Sequence, residues 1–556
     1  MDITLTLDDI DHQLRLSQDP HHVQSLKSYR NSLAPVSRLP HILLTDIFIL
    51  IHCSVRIYAV KFSLRSPPCL QISHVCRAWR DAALQCPLLW TNILFRPPEW
   101  AAVMLERSRT APLTVEVPIQ HINLADHTFV TSVQLALSHI HHIRSLCITL
   151  FDHFRDLDDL LSPFLTGSLD ILEELTLSSL LSVFPSYTYP SMENAPCLRS
   201  LELYSCHINW QLFSSVGNLT SLVLKDIPMV SRPSIENILS LLQTMNKLEK
   251  LSLIHAISEL PPNIRTLPPH DVAPLKLENL FHLSLTGFVL DCANLMRHLN
   301  VPHCRRLHLK AVTRWHIPEV TLAVPPLTSL ISSAFSQLDR QELPYSATFY
   351  RSANAIDIAA HPHPALVRDS KELSFFLSLS WRLSRQRDGE EISSGFGNLL
   401  SSLPLGRVVD FSASSFSRED HIDWLEVLPR LSRAEKVMLA GRYTYGFANA
   451  FDDAHAFNVS SHDGADAIVL PNLTSVTIKH AHFSFPLGDA ELFSTLERAL
   501  TRRLELEWTV PNITLLNCHI TQQQLAVLNT LALGPVDCFG EPETCGVGES
   551  DSGDED

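Results

Sequence analysis

Leu172-Glu-Glu-Leu-Thr-Leu177 sets leucine at the first, fourth and sixth positions of a six-residue unit, and the chain returns to that spacing repeatedly. It stands again at Leu198–Leu203, Leu219–Leu224, Leu248–Leu253, Leu280–Leu285 and Cys304–Leu309, with a shorter form at Ile143-Arg-Ser-Leu146. The closing Leu-x-Leu alternates apolar and polar residues, as does Leu113-Thr-Val-Glu-Val117, which is the period of a half-buried strand. Amphipathic helical runs such as Ser234–Gln243 and Asp291–Leu299 fill the intervals, which gives one strand and one helix per unit. Counted between closing leucines, Leu203 to Leu224 is 21 positions, Leu224 to Leu253 is 29, Leu253 to Leu285 is 32 and Leu285 to Leu309 is 24. A single strand and helix cannot bury an apolar face alone, so such units must stack on one another.

This Leu-x-x-Leu-x-Leu signature resembles that of the leucine-rich repeats. The resemblance implies an α/β solenoid curved into a horseshoe, with parallel strands inside and helices outside. At 556 residues the chain exceeds the ~250–300 at which one compact core stops growing, and an elongated array accommodates that length. With the leucines facing the core, the residues between and beside them should form a concave target-binding surface: Thr176, Glu202, Tyr204, Val223, Lys225, Ser252, Ser284, Thr286, His308 and Lys310. The signal weakens over 325–395, where Ala347–Arg351, Ala355–Ala359 and Leu373–Trp381 read as strands with long connections. It returns in Val408–Phe411, Ala434–Leu439, Leu473–Ile478, Leu504–Leu506 and Ile513–Leu516, separated by helical stretches over Ile422–Leu431 and Asp489–Leu500.

Upstream of the repeats lies a different kind of stretch, Leu39 to Ile93. Leu39, Leu43, Ile47 and Leu50 recur at helical spacing, with Leu44 and Phe48 widening the stripe and Pro40 in the first turn, where a missing N–H costs nothing. Ile72, Val75, Cys76, Trp79, Ala83 and Leu84 then share one face of a second short helix. Leu39-Pro40 with its Ile-Phe helix, Val75-Cys-Arg-Ala-Trp-Arg80 and Pro87-Leu-Leu-Trp90 together resemble the F-box, in the F-box-like form of fungal (basidiomycete-type) proteins. That family's module is a small helical bundle that docks on the Skp-type adaptor of a cullin ubiquitin ligase. Leu39, Pro40, Leu43, Leu44, Ile47, Phe48, Val75 and Trp79 match its apolar, adaptor-binding positions. Ile42 stands where the pattern usually has Glu, and Ser54–Cys69 is longer than a compact F-box linker.

The fold expected is therefore a small all-α F-box-like module followed by an α/β leucine-rich-repeat solenoid. Its parts are a helical lead-in over 1–35 broken at Asp19-Pro20, the F-box-like domain over 36–97, repeats over 98–536 and an acidic tail over 537–556. Gly540 to Asp556 holds seven acids and no Lys or Arg, and a segment so charged is expected to be disordered.

Composition closes off several function classes. With 45% apolar and 18% charged residues the chain is a packed one. A net charge of −16 argues against binding nucleic acid. The N-terminus is not a signal peptide and no apolar run reaches the ~18 residues of a membrane span, so a cytoplasmic or nuclear site with reduced cysteines is expected. The 12 cysteines include no Cys-x-x-Cys pair. His139, His141 and His142, or His361 and His363, are too close in sequence to converge on one ion, so neither metal nor cofactor is expected. There is no Gly-rich phosphate loop, His-Glu-x-x-His or Gly-x-Ser-x-Gly, and no catalytic residue is assigned.

The family resemblance implies a non-enzymatic substrate-recognition subunit of an SCF-type ubiquitin ligase. One end would hold the Skp-type adaptor and, through it, a cullin; the repeats would hold a target protein. The alternative is a scaffold that never engages an adaptor, a reading that Ile42 and the long Ser54–Cys69 linker favour.

Overall fold

The computed structural model describes residues 6–59, 67, 69–95, 97–117, 127–150, 168–179, 195–206, 210, 217–261, 264, 266–269, 273–313, 318–335, 345–352, 355–362, 374–380, 403, 405–415, 424–460, 469–484, 486–487 and 490–539. Residues 540–556 of the expected acidic tail, His363 and much of the Ser54–Cys69 linker lie outside them, while 537–539, expected to begin that tail, form a strand. The chain divides into two compact units, Met1–Leu219 and Thr220–Asp556.

In the first unit, Thr6 caps α1 (Leu7–Leu16) in a reciprocal box with Asp9, and Asp19 caps α2 (Pro20–Leu33), whose first position is Pro20. Arg30 pairs with Asp11 at 2.6 Å, and Ile10 and Leu26 are buried. The F-box-like stretch then gives α3 (His41–Ala59), α4 (Cys69–Ser73), α5 (Arg77–Gln85) and a 3-10 turn, Pro87–Trp90. It runs directly into β1 (Asn92–Ile93), and α6 (Glu99–Ser108) leads to β2 (Leu113–Val117). After α7 (His127–Leu137) come β3 (Ile143–Leu150), β4 (Glu174–Ser179) and β5 (Ser200–Tyr204). These strands pair in parallel in the order β1, β2, β3, β4, β5.

The second unit begins with β6 (Ser221–Lys225), α8 (Ile235–Thr244), β7 (Lys250–Ile254), β8 (Leu275–Lys276), β9 (His282–Phe288), α9 (Val289–Met296), β10 (Leu299–Asn300), β11 (Arg306–Val312) and α10 (Pro318–Phe335). There follow β12 (Tyr345–Ser352), β13 (Ala355–Pro362), β14 (Ser374–Ser380), β15 (Val408–Ser415), α11 (Trp424–Val427), β16 (Lys436–Gly441) and α12 (Tyr443–Ser460). It closes with β17 (Ser475–Lys479), β18 (Pro486–Leu487), β19 (Ala490–Glu491), α13 (Leu492–Glu505), β20 (Asn512–Leu516), α14 (Gln522–Leu531) and β21 (Asp537–Phe539). Its main sheet runs β6, β7, β9, β11, β14, β13, β12, β15, β16, β17, β20, β21. All its pairings are parallel except β14 with β13 and β13 with β12.

Two features overturn the expected fold class. The F-box-like stretch is not a self-contained all-α module, because Asn92 and Ile93 pair in parallel with Thr114 and Val115 and so build it into the α/β sheet. Buried Trp90 helps tie that strand to the helices: its indole donates to the Ala83 carbonyl at 2.9 Å. Nor does one strand-helix unit repeat without interruption, since β11 is followed in space by β14. Only two residues join Ser352 to Ala355, and so short a link allows antiparallel pairing alone, a parallel crossover needing a dozen residues or more. What the structure shows is a mostly parallel α/β sheet with an antiparallel insert.

Within the parallel stretches the leucine spacing has a longer form than Leu-x-x-Leu-x-Leu. Three residues before the first leucine stands another buried apolar residue, whose carbonyl accepts from that leucine's N–H: Leu169 for Leu172, Met245 for Leu248, Leu277 for Leu280 and Leu470 for Leu473. This turn sets the chain down at the strand start. The strand ends in a left-handed residue: Ser205, Asp226, His255, His480 and Asn517 all have φ between 48° and 53°. Several of these donate onward, Asp226 N–H to Ile254 at 2.7 Å and His255 N–H to Thr286 at 2.7 Å. Asn, Asp, His and Ser tolerate that conformation better than branched residues do. Asparagines just before the first leucine add a clip, Asn279 donating to the Asn246 carbonyl at 2.7 Å and Asn472 to Ser432 at 3.1 Å.

Helices cover the leucine layer. Ile238, Leu241 and Leu242 of α8 are buried, and α9 is buried on every side. Its Asp291 is satisfied by the Leu260 N–H at 2.8 Å. Further along the same unit, fully buried Arg503 of α13 donates to the carbonyls of Val469, Leu470 and Thr509 at 2.9, 3.2 and 3.0 Å. Its burial lowers the guanidinium pKa to about 10.

Candidate protein-interaction surfaces

On α3 apolar residues face two ways. The inner stripe is Leu44, Phe48 and His52, at i, i+4 and i+8, all buried. Phe48 is 0% exposed and stacks obliquely on Trp79 of α5 with ring centroids 4.9 Å apart, while His52 Nε2 meets Asn92 Nδ2 at 2.9 Å. The outer stripe is Leu43, Ile47, Leu50 and Ile51, exposed by 49, 39, 68 and 42%. Ile42, beside it, is exposed by 72%, and Leu39 and Pro40 at the helix start are exposed too. A helix apolar on both sides normally sits inside a core, and a concentrated set of exposed large apolar residues marks a contact surface.

The eight sequence-predicted adaptor residues thus separate into classes. Leu39, Pro40, Leu43 and Ile47 face water, whereas Leu44 and Phe48 are core and Trp79 is half-buried against Phe48. Val75 is 56% exposed but does not share a helix with Trp79 as expected. The chain breaks between Ser73 and Arg77, where extended Cys76 starts α5 and the Arg80 guanidinium donates back to the Ser73 carbonyl at 3.1 Å. Ala82 and Ala83 take the inner positions of α5. Sequence periodicity placed Leu50 in the helical stripe without assigning it to the adaptor surface, and passed over Ile42 and Ile51, because it registers apolar residues without telling which face is covered.

The second surface is the sheet face opposite the leucines. Thr176, Glu202 and Tyr204 on β4 and β5 are half-buried, with Leu175, Leu177, Leu201 and Leu203 buried beside them. Lys225, Ser284, Thr286 and His308 are half-buried and Lys310 is exposed, again between buried leucines. Two expected surface positions are core: Val223 and Ser252, which pair in register across β6 and β7, are each 6% exposed. A short side chain within a ladder is covered by neighbours ~4.8 Å away, while a lysine reaches past them.

Register decides which charges meet on this face. In the first unit Glu116, Cys147, Thr176 and Glu202 form one row, and Thr114, Ser145 and Glu174 another, with Ser145 donating to Glu174 at 2.8 Å. Tyr204 donates to Glu202 at 2.9 Å, and burial together with that bond raises its phenol pKa. Burial, then Glu116, pushes the Cys147 thiol up to about 11. In the second unit Lys250, His282 and Arg306 form one row, and Ile254, Thr286 and Lys310 another, which Lys225 joins beside Ile254. His282 and His308 rings lie 5.5 Å apart. Burial, then His308, Lys250 and Arg306, pulls the His282 pKa down to about 4.

Among the described residues no group of His, Cys, Asp and Glu is placed to hold a metal ion, and no helix is long and apolar enough to cross a membrane. His139, His141 and His142 cluster with ring centroids 4.2 to 6.5 Å apart, where burial lowers the pKa of His142. Compared with known protein families and with curated proteins, the chain matches none.

Proposed function

We propose that the protein is a non-catalytic substrate-recognition subunit of a cullin-type ubiquitin ligase, acting in the cytoplasm or nucleus. In this reading α3 docks on a Skp-type adaptor through its outer stripe, and a sheet face carries the target. The observation that supports it most is the double-sided α3, whose second apolar face, Leu43, Ile47, Leu50 and Ile51, is left to water in just the segment that resembles an F-box. Ile42 extends that face as its most exposed member. Catalysis would then be proximity alone: the adaptor and cullin bring a charged conjugating enzyme to a lysine of the bound target. The scaffold reading draws on one observation, the incorporation of Asn92–Ile93 into the sheet, which makes these helices part of a larger body.

The test is recovery of a Skp-type adaptor and cullin with the purified full chain, repeated with Leu43→Glu/Ile47→Glu and with Trp79→Ala. The outer-stripe pair should abolish recovery with far-ultraviolet circular dichroism and melting temperature near the parent's. Trp79→Ala should destabilise the unit by roughly 3–5 kcal/mol, because it removes the ring packed on Phe48. No adaptor on the unmutated chain, under conditions where a known F-box protein retains it, would leave the scaffold reading in its place.

A further inference from the structure

Lys225, Lys250, His282, Arg306, His308 and Lys310 are scattered over almost ninety positions of sequence, and register gathers them on one sheet face. Lys250, His282 and Arg306 are direct partners across β7, β9 and β11; Lys310 lies four residues beyond Arg306, level with Thr286 and Ile254, and Lys225 is level with Ile254. Adjacent strands are ~4.8 Å apart and a strand rises ~3.3 Å per residue. Lys250 and Arg306 are therefore ~10 Å apart, Lys225 and Lys310 ~14 Å, and the two rows ~13 Å. No face position of β6, β7, β9 or β11 holds an acid; the remaining ones are Ser221, Val223, Ser252, Ile254, Ser284, Thr286, Phe288 and Val312. Such a concentration of cations stands out in a chain whose net charge is −16.

We infer that this face binds an extended acidic segment of a partner protein, with carboxylates four residues apart along the segment. The row spacing equals the reach of four extended residues, so a segment lying along the strands sets one carboxylate by Lys250 and Arg306 and the next by Lys225 and Lys310. Ser284 and Thr286, small and half-buried, leave room between the rows and offer hydroxyls to its backbone. The depressed His282 pKa reports the same positive surroundings after burial has contributed first. A polynucleotide fits less well, since its charge would run beyond the patch along a chain of net −16. The inference deepens the target-binding half of the function proposed above and rests on that reading for its biological sense, but its test needs no adaptor.

The probe is a fluorescein-labelled peptide with Glu at every fourth position among Ser and Gly, titrated by fluorescence anisotropy into the full-length chain at low ionic strength. Saturable binding is expected, weakened by salt and by at least roughly tenfold in Arg306→Glu/Lys310→Glu. Lys276→Glu, at the edge of a separate two-stranded ladder, should leave it unchanged. If the double reversal does not fold, Arg306→Gln/Lys310→Gln replaces it, with a loss of several-fold expected. Equal affinity of parent and patch variants overturns the inference. So does equal binding of a single-stranded oligonucleotide of the same charge, and so does binding that appears only once residues 541–556 are removed, which would make the chain's own acidic end the occupant. Peptide binding without adaptor recovery would sink the ligase reading and leave this one standing; adaptor recovery without peptide binding would do the reverse.

Discussion

The outward faces of β2 to β5 in the first unit and of β6, β7, β9 and β11 in the second are built the same way and charged oppositely. In both, buried leucines alternate with half-buried polar residues on parallel strands. The first unit's face carries Glu116, Glu174 and Glu202, and there a thiol and a phenol are pushed up. Over β6, β7, β9 and β11 the second unit's face carries Lys225, Lys250, Arg306 and Lys310, and an imidazole is pulled down. Burial is the first cause in all three cases and the neighbouring charges come after it. The inward layer therefore holds the strands in place while the outward positions are free to set the electrostatic character of each surface.

If the inward layers are equivalent, truncating one leucine in each should cost about the same. Leu201→Ala on β5 and Leu251→Ala on β7, both 0% exposed, should each lose roughly 2–5 kcal/mol in urea unfolding. A near-neutral result at either position would break the comparison, because that strand would then be held by something other than its leucine.

The outward difference can be read through His282. Between pH 6.5, the ordinary imidazole value, and about 4, the unfolded chain takes up a proton at this ring that the folded chain refuses. Its contribution to stability is thus present above that window and lost as pH falls through it. Titration of the His282 ring by NMR should show the depressed pKa, and Lys250→Gln should move it upward while burial keeps it below the ordinary value. A His282 that titrates normally would remove the evidence for a positive field there.

Cys147 gives the smallest expected effect. With its pKa near 11 it should react sluggishly with iodoacetamide at pH 8, and Glu116→Gln should speed the reaction by only a few-fold, since the larger cause, burial, is untouched. An acceleration as large as that produced by unfolding would show that charge, not burial, dominates on this face.

Much of the local structure was legible from residue order. The break at Asp19-Pro20, the helix after Pro40, the helix from Ser234 and the burial of alternate leucines follow from caps, proline geometry and periods of 3.6 and 2. The two-residue link between Ser352 and Ala355 also contained the antiparallel insert, although reading those strands as weakened repeats passed over it. The Asn-Leu clips and the polar residues closing each strand were present in the sequence as well, at Asn279-Leu280 and Asn472-Leu473 and at Asp226, His255 and Asn517.

What residue order determined, then, is which positions turn inward, because alternation and helical period are properties of the local backbone. Tertiary structure alone decided three things. It chose which face of the doubly apolar α3 was covered, since Leu44 and Leu43 look alike until Trp79 is brought against Phe48. It drew the segment that follows the helices over 41–85 into a sheet through Asn92 and Ile93. And it aligned Lys250 with Arg306 and Lys225 with Ile254, which counting could not do, because strands separated by 21, 29, 32 and 24 positions share no fixed period and only their hydrogen-bonded register places one side chain beside another.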